Sequence, residues 1–250
     1  LLIVNKYFLR FSTFGLFLQL ALVLGLPAQA QPYLKSKHIL FLERFSQRSF
    51  IPPGQGKPKD TSGAGSRNGL SCSPEEPQIQ PIMPKQNYGL TLQERPTIFV
   101  NLLKTSAQQV VLMFRDEAGK FYERAFLPIT TQSGIIGFTL PKENSPLAVD
   151  QNYQWFLVFV CGETLQPDDP IVKGWVRRVA STSEIEGYLR NKTVFQQAAW
   201  YGAKGYWYDM LSTIVTAIQT YPHDANKLIA LWKDLLSCEG LSAIASESLK

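Results

Sequence analysis

Between residues 88 and 180 the apolar side chains come in short runs separated by turn-forming residues. The runs are Tyr88–Leu92, Thr97–Leu103, Gln109–Arg115, Phe121–Leu127, Gly134–Leu140, Tyr153–Cys161 and Ile171–Val179. Seven strands at this spacing, with no helical period between them, predict an antiparallel β-sandwich. The third and fourth are joined by "DEAGK", a hairpin-length turn in which Gly119 can take a positive φ. "YQWFLVFV" is apolar on both faces, as a central strand covered on both sides must be.

After residue 180 the hydrophobic period changes from two to 3.6. Ser183 and Glu186 have the spacing of a capping box for a short helix through Arg190. A second helix is expected over Thr193–Ala203, stopping near Gly205. A third carries Trp207, Met210, Leu211, Ile214, Val215 and Ile218 on one stripe and ends before Pro222. Asp224 is placed to cap a fourth helix, which shows Leu228, Leu231, Trp232, Leu235 and Leu236 and stops at Gly240. "LSAIASESL" adds a last short turn. Helices joined so briefly form antiparallel hairpins.

Two details refine this outline. Leu147 precedes Tyr153 in an arrangement similar to the tyrosine corner of immunoglobulin-like sandwiches, where a ring and its hydroxyl pin a crossover. Ala198, Tyr201, Trp207, Ile214, Ala217 and Pro222 fall at the offsets of one tetratricopeptide-type helix pair, with Met210 where a small residue is usual. The expected fold is therefore α+β: an immunoglobulin-like antiparallel β-sandwich over 88–180, followed by a tetratricopeptide-like helical hairpin over 181–250.

The first thirty residues read as an address. Lys6 and Arg10 are their only charges, the apolar run Phe11–Leu26 follows, and Ala28-Gln29-Ala30 offers a signal-peptidase site before Gln31. The run falls short of the ~20 residues a spanning helix needs. Residues 31–87 form a basic arm rich in Pro, Gly and Ser; residues 31–60 alone carry +4, the leader adds two cations, and residues 61–250 sum to −1. The remaining body is near neutral, unlike a nucleic-acid-binding face. Export makes the three cysteines candidates for oxidation. Cys72, in an irregular segment, and Cys161, ending a strong strand, are the favoured pair. A bridge there closes a loop of about 90 residues and stabilises by ~4 kcal/mol in the chain-entropy model. Cys238, beside an apolar helix face, is expected as a buried thiol.

The blocks "PPGQGKPKDTSGAGSRNGLSC", "ERPTIFV", "FRDEAGKFY", "YQWFLVFVC", "VKGWVRRV", "YGAKGYWYDML" and "LWKDLLSCEGL" occur in that order over roughly residues 50–247. They resemble successive blocks of an uncharacterised family of exported cyanobacterial proteins, the domain of unknown function numbered 928. The resemblance implies an envelope or secreted protein, and that Cys72 and Cys161 occupy the family's two cysteine positions. The chain has fewer glycines in the Gly-rich block than the family pattern. The family carries over no activity, cofactor or catalytic residue.

Candidate chemistry is sparse. "GAGSRNG" lacks the spacing and the Lys-Ser/Thr of a phosphate loop, and there is no G-x-S-x-G elbow or H-E-x-x-H zinc site. His38 lies in the arm and His223 in a helix–helix turn. Asp168 and Asp169, near Glu163, are the only loop acids resembling a glycosidase pair, and solvated charge is the simpler reading. "GWVRR" puts Trp175 and Arg177 on one strand face and Arg178 on the other, with Glu163 or Asp169 as the expected ion-pair partners. The densest feature is "WYGAKGYWYD" at 200–209. Tyr201, Trp207 and Met210 are expected inward, whereas a partly exposed Tyr206/Tyr208 pair beside Asp209, together with Arg178, is the candidate binding surface. The functional expectation is an exported, periplasmic or extracellular, non-enzymatic interaction or structural module without cofactor or metal. Its partner would be an envelope protein or polysaccharide, with no integral membrane segment after cleavage. The alternative is a carbohydrate-binding or carbohydrate-cleaving protein.

Overall fold

The computed structural model describes residues 50–54, 56–61, 70–129 and 133–249. The expected leader, the arm up to residue 49 and most of the Gly-rich block lie outside the described residues. No helix among the described residues is long and apolar enough to cross a membrane.

Among the described residues eight strands form two sheets: β1 (Gln80–Pro81), β2 (Tyr88–Thr91), β3 (Ile98–Leu102), β4 (Gln109–Asp116), β5 (Phe121–Pro128), β6 (Gly134–Phe138), β7 (Asn152–Val160) and β8 (Ile171–Arg178). The smaller sheet has the order β1-β3-β6 and the larger β2-β8-β7-β4-β5. Every strand read from the alternation is present, and β1, too short and too proline-bound to show a period, is an addition. The larger sheet is mixed, which corrects the wholly antiparallel expectation. Its edge strand β2 pairs parallel to β8, from Tyr88 opposite Trp175 to Thr91 opposite Arg178. Residues 92–170 intervene between the two strands, so the pairing is non-local and leaves no mark in either strand's pattern.

The core lies on one face of the larger sheet. Val110, Leu112 and Phe114 of β4 and Tyr153, Trp155, Leu157 and Phe159 of β7 are buried there in register. Phe138 of the smaller sheet meets Phe159 edge-on at 6.5 Å, which joins the two sheets. The opposite face carries a smaller cluster, Val111, Val158 and Val160. The Tyr153 hydroxyl accepts from the Ala148 N–H at 3.2 Å, and Leu147 is fully buried.

Four helices follow: α1 (Ser183–Arg190), α2 (Val194–Ala203), α3 (Trp207–Thr220) and α4 (Ala225–Cys238), then a 3-10 turn at Ser242–Ile244. The α1 cap is Thr182 rather than Ser183, its side chain accepting from the Ile185 N–H. Thr193 and Gln196 form a full capping box on α2. Asp224 occupies the cap position of α4, but its side chain pairs with Lys227 instead of the helix N–H groups. Cys72 and Cys161 are bridged across a separation of 89 residues. Cys238 corrects the expectation of a buried thiol: it is exposed, because α4 runs past the core beyond Leu236.

The segment before β2 is part of the fold. Ile79, Ile82 and Met83 are buried, and Phe50 packs edge-on against Trp207 at 4.9 Å. Residues 56–61 lie against the far end of the larger sheet. There Gly56 C=O accepts from the Tyr88 hydroxyl and Asn152 Nδ2, and Thr61 C=O accepts from Asn87 Nδ2.

Candidate functional site

The aromatic stretch 200–209 spans the end of α2, a turn and the start of α3. Gly205 in the turn has φ +80° and directs α3 back over β2. Trp207 is fully buried and donates its indole N–H to Ile82 C=O at 3.0 Å. Tyr208 is buried beside it. Its hydroxyl accepts from Trp155 Nε1 at 2.7 Å and donates to Trp175 C=O at 2.9 Å, so one oxygen links the helix to two strands. The sheet makes room for these rings with glycine. A Cβ on Gly174 would lie 2.4 Å from the Trp155 ring, and one on Gly89 would lie 2.5 Å from Trp207 Cβ. Burial pushes the Tyr208 phenol far above its ordinary range.

Asp209, in the first turn of α3, is also buried. Its carboxylate accepts from the Leu92 N–H at 3.1 and 3.3 Å, just past the end of β2. Leu90 N–H donates to Gly205 C=O at 2.8 Å. The α2–α3 turn thus covers the outer edge of β2, which would otherwise present unpaired backbone groups. Burial raises the Asp209 carboxyl to about 6, partly opposed by hydrogen bonds from the Thr91 side chain and the Leu92 backbone. Tyr201 is pushed up to about 12 by burial and by the nearby Asp209 charge.

The candidate binding surface read from the sequence is therefore corrected. Tyr206, Tyr208 and Asp209 are all buried. Tyr206 lies parallel to Trp200 at 5.4 Å and is shielded by it. Arg178 sits at the end of β8, where it donates to Leu147 C=O and pairs with Glu94 at 3.2 Å. Arg177 pairs with Asp150 at 3.6 Å, so neither arginine uses Glu163 or Asp169. The rings left towards solvent are Trp200, half-buried, and Tyr188 of α1, exposed, at 6.0 Å from each other. Lys192 Nζ stands 4.6 Å above the Tyr188 ring.

A cleft of about 420 Å³ opens between the end of β2, α1 and α2. Leu92, Leu189 and Tyr201 form its apolar part, and Gln93, Glu186, Arg190 and Gln197 its polar part. The capping signal marked α1 as a helix but could not show that it lies against the end of β2.

A second cleft, about 650 Å³, adjoins the disulfide and contains Cys72, Glu76, Cys161, Asp168 and Asp169. Its acids hold loops together. Asp169 accepts from the Cys161 and Gln166 N–H groups at 3.1 and 2.8 Å, and Glu76 accepts from Ser106 N–H at 2.9 Å. No group of metal-ligating side chains occurs among the described residues.

A family model described as Domain of Unknown Function (DUF928) matches residues 62–249. The chain belongs to this family. The match takes in both sheets, all four helices, the disulfide and both clefts, so the whole described architecture beyond residue 61 is that of the DUF928 domain. No curated protein sequence matches the chain.

Proposed function

We propose that this DUF928 chain is an exported, non-enzymatic interaction or structural module of the cell envelope. In this reading an immunoglobulin-like sandwich carries a tetratricopeptide-like hairpin that presents the binding surface. The observation that carries it is how the reactive side chains are used. Tyr208, Asp209 and Asp169 each spend their polar atoms on hydrogen bonds within the fold, and Arg178 is held by Leu147 C=O and Glu94. A general acid or base instead needs a group within reach of a substrate proton. The Cys72–Cys161 bridge supports an oxidising compartment.

The test is fractionation of the native cells combined with peptide mapping under non-reducing conditions. The reading expects the chain in the periplasmic or extracellular fraction, beginning at Gln31, with Cys72 joined to Cys161. A cytoplasmic chain with both thiols reduced contradicts it.

Carbohydrate binding is the second reading, favoured by the cleft in which the Tyr201 ring lies among Gln93, Glu186, Arg190 and Gln197. Cleavage of a glycosidic bond would also need two working carboxylates. Loss of a glycan-degrading activity in Asp168→Asn would establish that stronger form and overturn the non-enzymatic reading.

A further inference from the structure

The cleft beside Tyr201 does not end at α2. A second cleft of about 400 Å³ lies between α2 and α3, and a third of about 520 Å³ lies between the start of α2 and the α3–α4 turn. All three share Gln197, and the second and third also share Val194 and Tyr221. The three clefts adjoin one another round the Gln197 side chain and together form a groove.

The lining of the groove specifies an occupant. Ser212, Thr216 and Thr220 recur every four residues along α3 and set hydroxyls on one wall. Gln197 supplies an amide, and its Nε2 is held by Leu189 and Lys192 C=O at 3.0 and 3.2 Å, which fixes the side chain in place. Tyr221 is exposed at one end, and the Tyr201 ring lines the other. Hydroxyls and amides flanked by ring faces suit sugars, whose hydroxyls hydrogen-bond while their C–H faces lie on aromatic rings.

The charges add a sign. Among the groove acids, Glu186 already accepts from the Ser181 hydroxyl at 3.0 Å and Asp224 is paired with Lys227 at 3.2 Å. Arg190 and Lys192 also line the groove, and neither has a carboxylate partner among the described residues. The Ser181 hydrogen bond leaves the Glu186 charge in place, so Arg190, Lys192 and Lys227 stand against Glu186 and Asp224, and the one excess positive charge favours an anionic occupant. An acidic peptide would be drawn to the same cations. Peptide grooves, however, rely on a free sheet edge or on apolar anchor pockets. Here the neighbouring edge of β2 is covered by the α2–α3 turn, which closes strand addition, and titration with hexaglutamate tests the remaining peptide mode.

We propose that this groove binds an extended oligosaccharide strand bearing uronic acids. The proposal rests on the reading of the chain as an exported binding module and names the class of its partner. The test is calorimetric titration of the full chain with hexagalacturonate, with chitohexaose and hexaglutamate as comparison probes. Hexagalacturonate is expected to saturate below ~1 mM and more tightly than either comparison probe. Arg190→Ala combined with Lys192→Ala should weaken it by about tenfold. Thr216→Phe, at an exposed helix position, should obstruct the groove and have the same effect. Urea unfolding should show all these variants folded. No saturable binding, tighter binding of hexaglutamate or chitohexaose, or unchanged affinity in folded variants would overturn the proposal. An exported, disulfide-bonded chain that fails to bind loses the groove assignment alone. A cytoplasmic, reduced chain loses the functional reading whatever it binds.

Discussion

The α2–α3 hairpin has two sides with similar raw material and opposite uses. The side facing the sheet holds Trp207, Tyr208, Asp209 and Met210, all buried, with their polar atoms bonded to Ile82, Trp155, Trp175 and Leu92. The side facing away holds Gln197, Thr216, Thr220 and Tyr221, with hydroxyls and a ring left towards solvent. Aromatic density therefore does not mark a ligand platform in this protein. The ring-rich face holds the helices to the sheet, and the plainer face is the one open to a partner. The reason is geometric. Gly89 and Gly174 leave hollows in the sheet that only large rings fill, and the N–H and O–H tips of those rings reach backbone carbonyls there.

The comparison is broken most severely by removing a ring from the buried side. Trp207→Ala is expected to cost ~3–5 kcal/mol in urea unfolding, from lost burial and the cavity left behind. A cost below ~1 kcal/mol would mean that the ring is not core.

The next effect is a pH dependence. Asp209 is raised from 3.8 to about 6 in the folded protein, so the folded state holds this proton more tightly than the unfolded chain. Its contribution to stability is present in full below pH ~4 and is lost as the pH rises through about 6. Asp209→Asn keeps an acceptor for the Leu92 N–H and removes the titration. Its stability relative to wild type should therefore rise by on the order of 2–3 kcal/mol between pH 4 and 7. A constant difference across that range would contradict the assignment.

Tyr208→Phe removes one oxygen and leaves the Trp155 N–H and Trp175 C=O without their partner. The expected cost is ~2 kcal/mol with an unchanged denaturant slope. On the open side, Thr216→Ala and Arg190→Ala should change stability by less than ~0.5 kcal/mol, as exposed positions do. A large loss there would make the groove wall structural and erase the contrast.

Much of this fold was legible in the sequence because its elements are locally consistent. The seven runs of the β region became strands β2 to β8, and the four expected helices became α1 to α4 with ends within a few residues of those expected. The Cys72–Cys161 pairing was legible too. What was hidden is non-local. The parallel pairing of β2 with β8 depends on where the chain returns after residue 170. The choice of Thr182 over Ser183 as a cap was open because Ser and Thr alternate through 181–183. Burial of Tyr206 and Tyr208 ran against helical geometry, since one helix face cannot bury so many neighbouring rings. The sheet on one side and Trp200 on the other bury them together. The groove had a faint signal in the four-residue recurrence of Ser212, Thr216 and Thr220. By itself that recurrence reads as an ordinary solvated helix face, and only the placement of α2 and α4 beside it makes a cleft.

The claim that the aromatic stretch binds helix to sheet is tested most directly by a double-mutant cycle between Tyr208→Phe and Trp155→Phe, followed by urea unfolding. The 2.7 Å hydrogen bond between the two side chains predicts a coupling of ~0.5–3 kcal/mol. Additive effects, with coupling indistinguishable from zero, would show that the two residues stabilise the protein independently and would contradict the account.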